Sequence, residues 1–581
     1  MKQMLLLAAT AFLVALLLAF TKDHRRKNSP GDYSYIIKKD RPVIRCSPDW
    51  QALKDWLDAT DIPPIPGAGS YKWKITTTSD SAQFYFNQGI NMYYGFHIIE
   101  AMASFKKAEK FDPSCAMIPW AQALTYGPNI NDFGYRASPE ALAALKRSQD
   151  LSAPATPFEK SLIEAMSVRY TADSADATRA ALNQAYTDKM KQVAAEFPMI
   201  ADAHVLYADA MMLQHPWDLW NTDGTPKPWT PVIEETLEKT IALFPDHPGA
   251  NHYYIHVMEP SPFADKALPS AAKLGITNPG LSHLVHMPSH IYLRTGRYLQ
   301  GVEVNINAVN SYKRSIPLYA PVTGADFLYI IHNLHMKTNN AMLAGQYKTA
   351  ISAANETVAS INPEYLQIPA PLGNYVQYIH STPVLVYVRF GKWNELLKMP
   401  APDKALSYSS ILYHFGRGMA FAGQMKLAEA KQELASLQEL MKDTTLNIPF
   451  TPFSAAIESA AVAENLLIGT IALKEKQFSD AIVAFEEAAV TEETMVYNEP
   501  RDWILNPKHY LGNAYLRAGR TTEAARVFHR DLQNNNENGW ALYGLWQALS
   551  KQGKSNEASA VMGRFRKAFM KADVKLTGPV L

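Results

Sequence analysis

Cysteine is nearly absent: Cys46 and Cys115 are the only two in 581 residues. That allows at most one disulfide and excludes a cysteine-built zinc site. An excess of one charge is missing too. Lys and Arg total 56 against 55 Asp and Glu, and charged residues make up 19%. A net charge of +1 argues against a nucleic-acid binder, and 47% hydrophobic content argues against disorder. There is no Gly-x-Gly-x2-Gly, no Gly-x4-Gly-Lys-Ser/Thr phosphate loop and no Gly-x-Ser-x-Gly elbow. The His-Glu-x2-His zinc-protease signature also fails, because Tyr253 stands where the glutamate would be needed. No convincing alternating strand pattern occurs, so the chain reads as all-α.

One long uncharged apolar run exists, Met4 to Phe20, preceded by Lys2. It predicts a signal peptide or N-terminal membrane anchor over 1–21, and hence an exported, periplasmic or membrane-anchored protein. Lys22, Arg25, Arg26 and Lys27 follow the run and leave a cytoplasm-facing anchor as the alternative. Residues 22–78 read as a linker with one short helix near Trp50, ending in the Pro-rich stretch Ile62 to Gly69.

From 79 onward, apolar segments of helical period alternate with short Gly, Pro or Asn breaks, and they repeat in pairs. The clearest pair has Gly512, Tyr515, Gly519, Ala524 and Phe528; another has Gly469, Phe478, Ala481, Phe485 and Ala488; a third has Gly89, Ala101, Phe105 and Ala108. This resembles the tetratricopeptide repeat, an antiparallel helix pair whose apolar face is buried only by stacking on its neighbours. The expected architecture is an α-solenoid of stacked antiparallel helix pairs with loop insertions. It divides into repeats with insertions over 79–245, histidine-rich repeats over 246–445 and regular repeats over 446–581. Two insertions stand out, Pro128 to Asn131 and Pro216 to Pro231; the second carries three tryptophans and four prolines and reads as structural cover, with ligand stacking as the alternative.

Histidine is what the chain concentrates. Six of its sixteen histidines lie between His247 and His290. The spacings His252-x3-His256-x2-Glu259 and His283-x2-His286-x3-His290 put side chains on one helix face. The turn glycine of each pair supplies a ruler. His283, His286 and His290 lie thirteen, ten and six residues before Gly296; His332 and His335 lie thirteen and ten before Gly345; His509 lies ten before Gly519. Measured from Pro262, which takes the glycine's place, His252 and His256 lie ten and six before the turn. Stacking would bring His252, His256, Glu259, His283, His286, His290, His332 and His335 onto one patch. His509 joins only if the superhelix curls back.

Imidazole is the commonest metal-ligating side chain, so this row predicts a transition-metal site for copper, zinc or iron. More candidates stand there than one ion needs, so some would orient ligands, or two ions are held. With Glu259 the sole clear carboxylate, calcium and magnesium are disfavoured. The alternatives are a groove that takes a peptide or protein partner without metal, and a polar packing layer between helices. Pro288 is the weak point, since a helix beginning late would leave His283 on a loop.

The stretches His247 to His256, His283 to Tyr292, Phe86 to Asn131, Pro216 to Trp220, His332 to His335, and Asn498 to Trp503 with His509 resemble a family of bacterial tetratricopeptide-repeat proteins with histidine-rich central repeats. The tetratricopeptide resemblance implies an inward, concave placement of the histidine rows, and the bacterial family brings no established reaction. Relatives often carry a second cysteine where Ile118 stands, so no Cys-x2-Cys role carries over to Cys115.

Overall fold

The computed structural model describes residues 48–581 except 49, 60, 132–134, 136, 174–175, 316–317 and 319–324. The apolar run Met4 to Phe20 and Cys46 lie outside the described residues. What is described is all-α: consecutive helices pack as antiparallel neighbours from Asp80–Tyr94 with Ile98–Phe111 through to Gly539–Lys551 with Ser555–Ala568. Beyond two isolated bridges, Trp220 with Pro226 and Pro449 with Ala455, the described residues contain no β-structure.

Glycine and phenylalanine set the distance between the helices of a pair. Gly89 lies against the ring of Phe105, Gly469 against Phe485, and Gly512 and Gly544 both against Phe528. A Cβ at any of the four would stand 2.3–2.5 Å from that ring. The ruler glycines Gly296, Gly345 and Gly519 all have φ between +71° and +77°, the left-handed conformation that ends a helix and turns the chain.

Two large apolar cores result. The first runs from Leu53 to Ile291, across the 245/246 boundary drawn from the sequence; the second runs from Val302 to Leu576, across 445/446. Part of the stretch expected as linker belongs to the first core. Ile62, Ile65, Trp73 and Ile75 are buried there, and the Gly280 N–H donates to Gly67 O at 2.8 Å. Pro and Gly keep this stretch extended, so it crosses the helices without forming one.

The solenoid also curls back on itself. Tyr298 Oη donates to Asn536 O at 2.7 Å, Asn536 Nδ2 to Arg294 O at 3.2 Å, and Trp540 Nε1 to Met342 O at 2.9 Å. Asp573 takes the backbone N–H groups of Tyr347 and Lys348 at 2.6 and 3.0 Å. The histidine-rich helices therefore lie where the first core meets the returning second half.

Candidate metal centre

Four helices, three of them short, present the histidines. Pro248–Met258 carries His252 and His256, with Glu259 as its C-cap. Pro288 splits the next helix into Ser282–His286 and Pro288–Arg294, joined at Met287 with φ −48° and ψ −38°. The backbone stays helical through the joint because proline is tolerated in a first turn. His283 is therefore on a helix, one turn from His286. His332 comes from Ala325–Leu343.

These elements gather six histidines into two triads. In the first, His252 Nε2 is 3.0 Å from His256 Nε2 and 3.1 Å from His283 Nε2. In the second, His286 Nε2 is 2.7 Å from His290 Nε2 and 2.9 Å from His332 Nε2. Within each triad all three ligand atoms fall within 4.8 Å of one another. Three nitrogens at a tetrahedral ion's bond length would be about 3.3 Å apart. The triads adjoin, with the rings of His283 and His286 6.1 Å apart.

The outer nitrogens decide what the inner ones can do. His252 Nδ1 donates to Tyr94 O at 2.6 Å, and His256 Nδ1 donates to Glu259 Oε1 at 2.9 Å. His286 Nδ1 donates to Asn305 Oδ1 at 2.6 Å, and Asn305 Nδ2 donates to Gly301 O, which fixes the amide's orientation. Each of these Nδ1 atoms therefore carries a proton, which leaves the Nε2 of neutral His252 and His286 with a lone pair. His252 and His256 bring their Nε2 atoms within 3.0 Å of each other, a separation that a proton on His256 or a metal ion in its place bridges.

Glu259 ties the triads together from outside. Its Oε1 meets His256; its Oε2 accepts from Tyr497 Oη at 2.8 Å and lies 2.9 Å from His290 Nδ1, off hydrogen-bond alignment. The structure places Glu259 on the Nδ1 side of two histidines, where a carboxylate orients ligands. Glu499, which reasoning from the sequence missed, reaches in from the returning half. Its Oε1 lies 3.5 Å from His256 Nδ1 and 3.7 Å from His290 Nε2. No local spacing could have signalled it; the only trace was its place in Asn498 to Trp503.

The electrostatics separate the groups. Burial, reinforced by neighbouring imidazoles, holds His252, His283, His286 and His332 well below the usual histidine range, so they are neutral as ligands must be. Burial also opposes charge on His256, but the carboxylates of Glu259 and Glu499 outweigh it and lift that imidazole to about 9. Burial and the charge of Glu259 raise the Glu499 carboxyl, while His290 and His256 keep Glu259 ionised against its own burial.

The site is closed rather than spread on an open wall, which differs from the concave row expected. Phe96 packs on His252, His256 and His283 with centroids 4.5–5.8 Å away, and Trp217 of the Pro216 insertion packs on His256 at 5.2 Å. Asn131, from the other insertion, accepts from Trp217 Nε1. Phe96, Trp217 and Glu499 have φ of +56°, +61° and +34°. Non-glycine residues seldom adopt that conformation, and such strain collects at functional sites.

Two predicted residues lie apart from the triads. His335 points to Thr382 Oγ1 at 3.2 Å and packs on Tyr378, and burial lowers it to about 4. His509 sits with Asp531 at 3.1 Å, and Arg389 and Asn538 at 2.9 Å. The chain does curl back, but the turn it brings to Arg294 and Tyr298 is Asn534 to Asn536, which leaves His509 in the second half's own polar layer.

No family model and no curated protein matches the chain. Among solved structures, the human IFIT1 dimer with m7Gppp-AAAA is 10% identical, covering 86% of this chain and 92% of its own, with a TM-score of 0.29. Yeast Tom70 is 11% identical over 85% and 93%, with a TM-score of 0.28. Similarity at this level adds nothing to the site.

Proposed function

We propose that the chain is a transition-metal protein holding two ions in a buried dinuclear centre. His252, His256 and His283 ligate one ion; His286, His290 and His332 ligate the other. The observation that carries this reading is the convergence of three imidazole nitrogens within each triad, with the Nδ1 atoms of His252, His256 and His286 turned outward to acceptors. Three protein ligands per ion is the pattern of a catalytic site with an open position, whereas structural sites supply four. The function is therefore that of a metalloenzyme, using copper, zinc or iron, all of which imidazole suits. Glu259 orients His256 and lies beside His290, and Glu499 stands 3.7 Å from the ligating Nε2 of His290. The apolar run Met4 to Phe20 supports a cell-envelope setting. A partner groove finds less support, because these histidines face inward.

Metal analysis of protein purified without a His-tag tests the reading. The expected content is about two ions per chain, falling to one or fewer in a His286→Ala/His290→Ala double variant with helical CD retained. Content below about 0.2 per chain, unchanged by added copper, zinc or iron, would contradict it, since multi-imidazole sites bind such ions tightly.

A further inference from the structure

On the outer side of Trp217 and Tyr497 lies a cavity of about 290 Å³. That is near the lower end of small-molecule sites, roughly 300–1,000 Å³. Exposed Asn221, Thr222 and Gln533 form its rim, so it opens to solvent. Its inner wall is shared with the metal centre: Tyr497 donates to Glu259, and Trp217 packs on His256.

The charged side chains lining it are Arg294, Arg501 and Arg530 against Glu493 and Asp223. Two of the arginines are already matched, Arg501 with Glu492 at 2.8 Å and Arg530 with Glu493. Asp223 is turned to its own loop, accepting from Thr225. Arg294 makes no ion pair among the described residues. It donates to Ser261 O at 3.1 Å and Asn534 O at 3.4 Å and lies over the Tyr497 ring at 5.9 Å. Its Nε is shut off from solvent and has no acceptor among the described residues. Arg294 is only partly buried and lines the cavity, so its guanidinium stands there without a carboxylate beside it. Its planar fork matches a carboxylate or phosphate at two points.

We propose that this cavity binds a small oxyanion, a molecule bearing a carboxylate or phosphate group, with Arg294 as its principal cationic contact. That the anion is the substrate of the adjoining centre rests on the dinuclear reading; the binding itself rests on the cavity and Arg294.

Calorimetric titration of the full chain with acetate and with inorganic phosphate at low salt tests it, with metal content measured on the same samples. At least one probe should bind, and Arg294→Gln should weaken it tenfold or more. Gln533→Glu, an exposed rim change that leaves packing untouched, should weaken it at least threefold by repulsion. Phosphate binding alone assigns a phosphate-bearing ligand, and acetate binding alone a carboxylate. The proposal is overturned if neither probe binds, or if a folded Arg294→Gln binds as the parent does. Should Arg294→Gln not fold, unchanged binding by Gln533→Glu overturns it alone. Anion binding in a chain that takes up no metal would leave this site standing and remove the dinuclear reading.

Discussion

Asn305 shows at a single side chain how the centre is held. It touches no proposed ion, yet its amide keeps the proton of His286 on Nδ1 and so keeps Nε2 free. Asn305→Leu should therefore weaken metal affinity roughly 10–100-fold, read by competition with a chelator, while helical CD is retained. Glu492 carries a pH dependence instead. Burial would raise its carboxyl, but Lys508 and Arg501 outweigh that and hold it at about 2, below the ordinary 4.5. A carboxyl lowered by folding stabilises fully above its unfolded value, and that stability is lost as pH falls toward the folded one. The parent should lose melting temperature between about pH 5 and 2 more steeply than Glu492→Gln. At pH 7 the variant should be less stable by roughly 1.5–3 kcal/mol, the worth of a charged hydrogen bond, because Lys508 keeps Glu493 at 3.1 Å. At this scale the six triad histidines were legible in the sequence because repeats carry side chains in register. Glu499 was not, since the loop it shares with Tyr497 meets Glu259 across 238 residues of chain.

Helix pairs carry the next layer of the account. Their glycines were readable from spacing alone, because a residue without Cβ opposite a phenylalanine has one packing reason to be there. Gly469→Ala would drive a methyl into Phe485 and should cost about 1–3 kcal/mol by overpacking. Gly563, inside Ser555–Ala568, would meet nothing within 4 Å, so Gly563→Ala should stabilise by up to about 1 kcal/mol through helix propensity. Chemical denaturation of both variants checks the contrast. The break at Pro288 was also legible as a threat, but its outcome was not. Whether a proline stops a helix or opens a new one depends on packing around the joint, and here both pieces bury their histidines.

For the whole molecule, the decisive feature is the meeting of two cores around the triads. Sequence periodicity announces stacked pairs; it does not fix the curvature that brings Glu499 and Tyr497 back over His256 and Glu259. Small rotations summed over many repeats set that curvature, and no local pattern encodes them. Nor did spacing show that Phe96 and Trp217 close the histidines away from solvent, because both reach the site from turns and insertions outside the repeat. The central proposal is that this closed seam holds two metal ions. Elemental analysis of untagged protein, after incubation with excess copper, zinc or iron and exhaustive desalting, measures it directly. About two ions of one element per chain, falling to one or fewer without the His286 and His290 imidazoles, is the predicted result; a chain that keeps less than about 0.2 ions under every loading condition would contradict it.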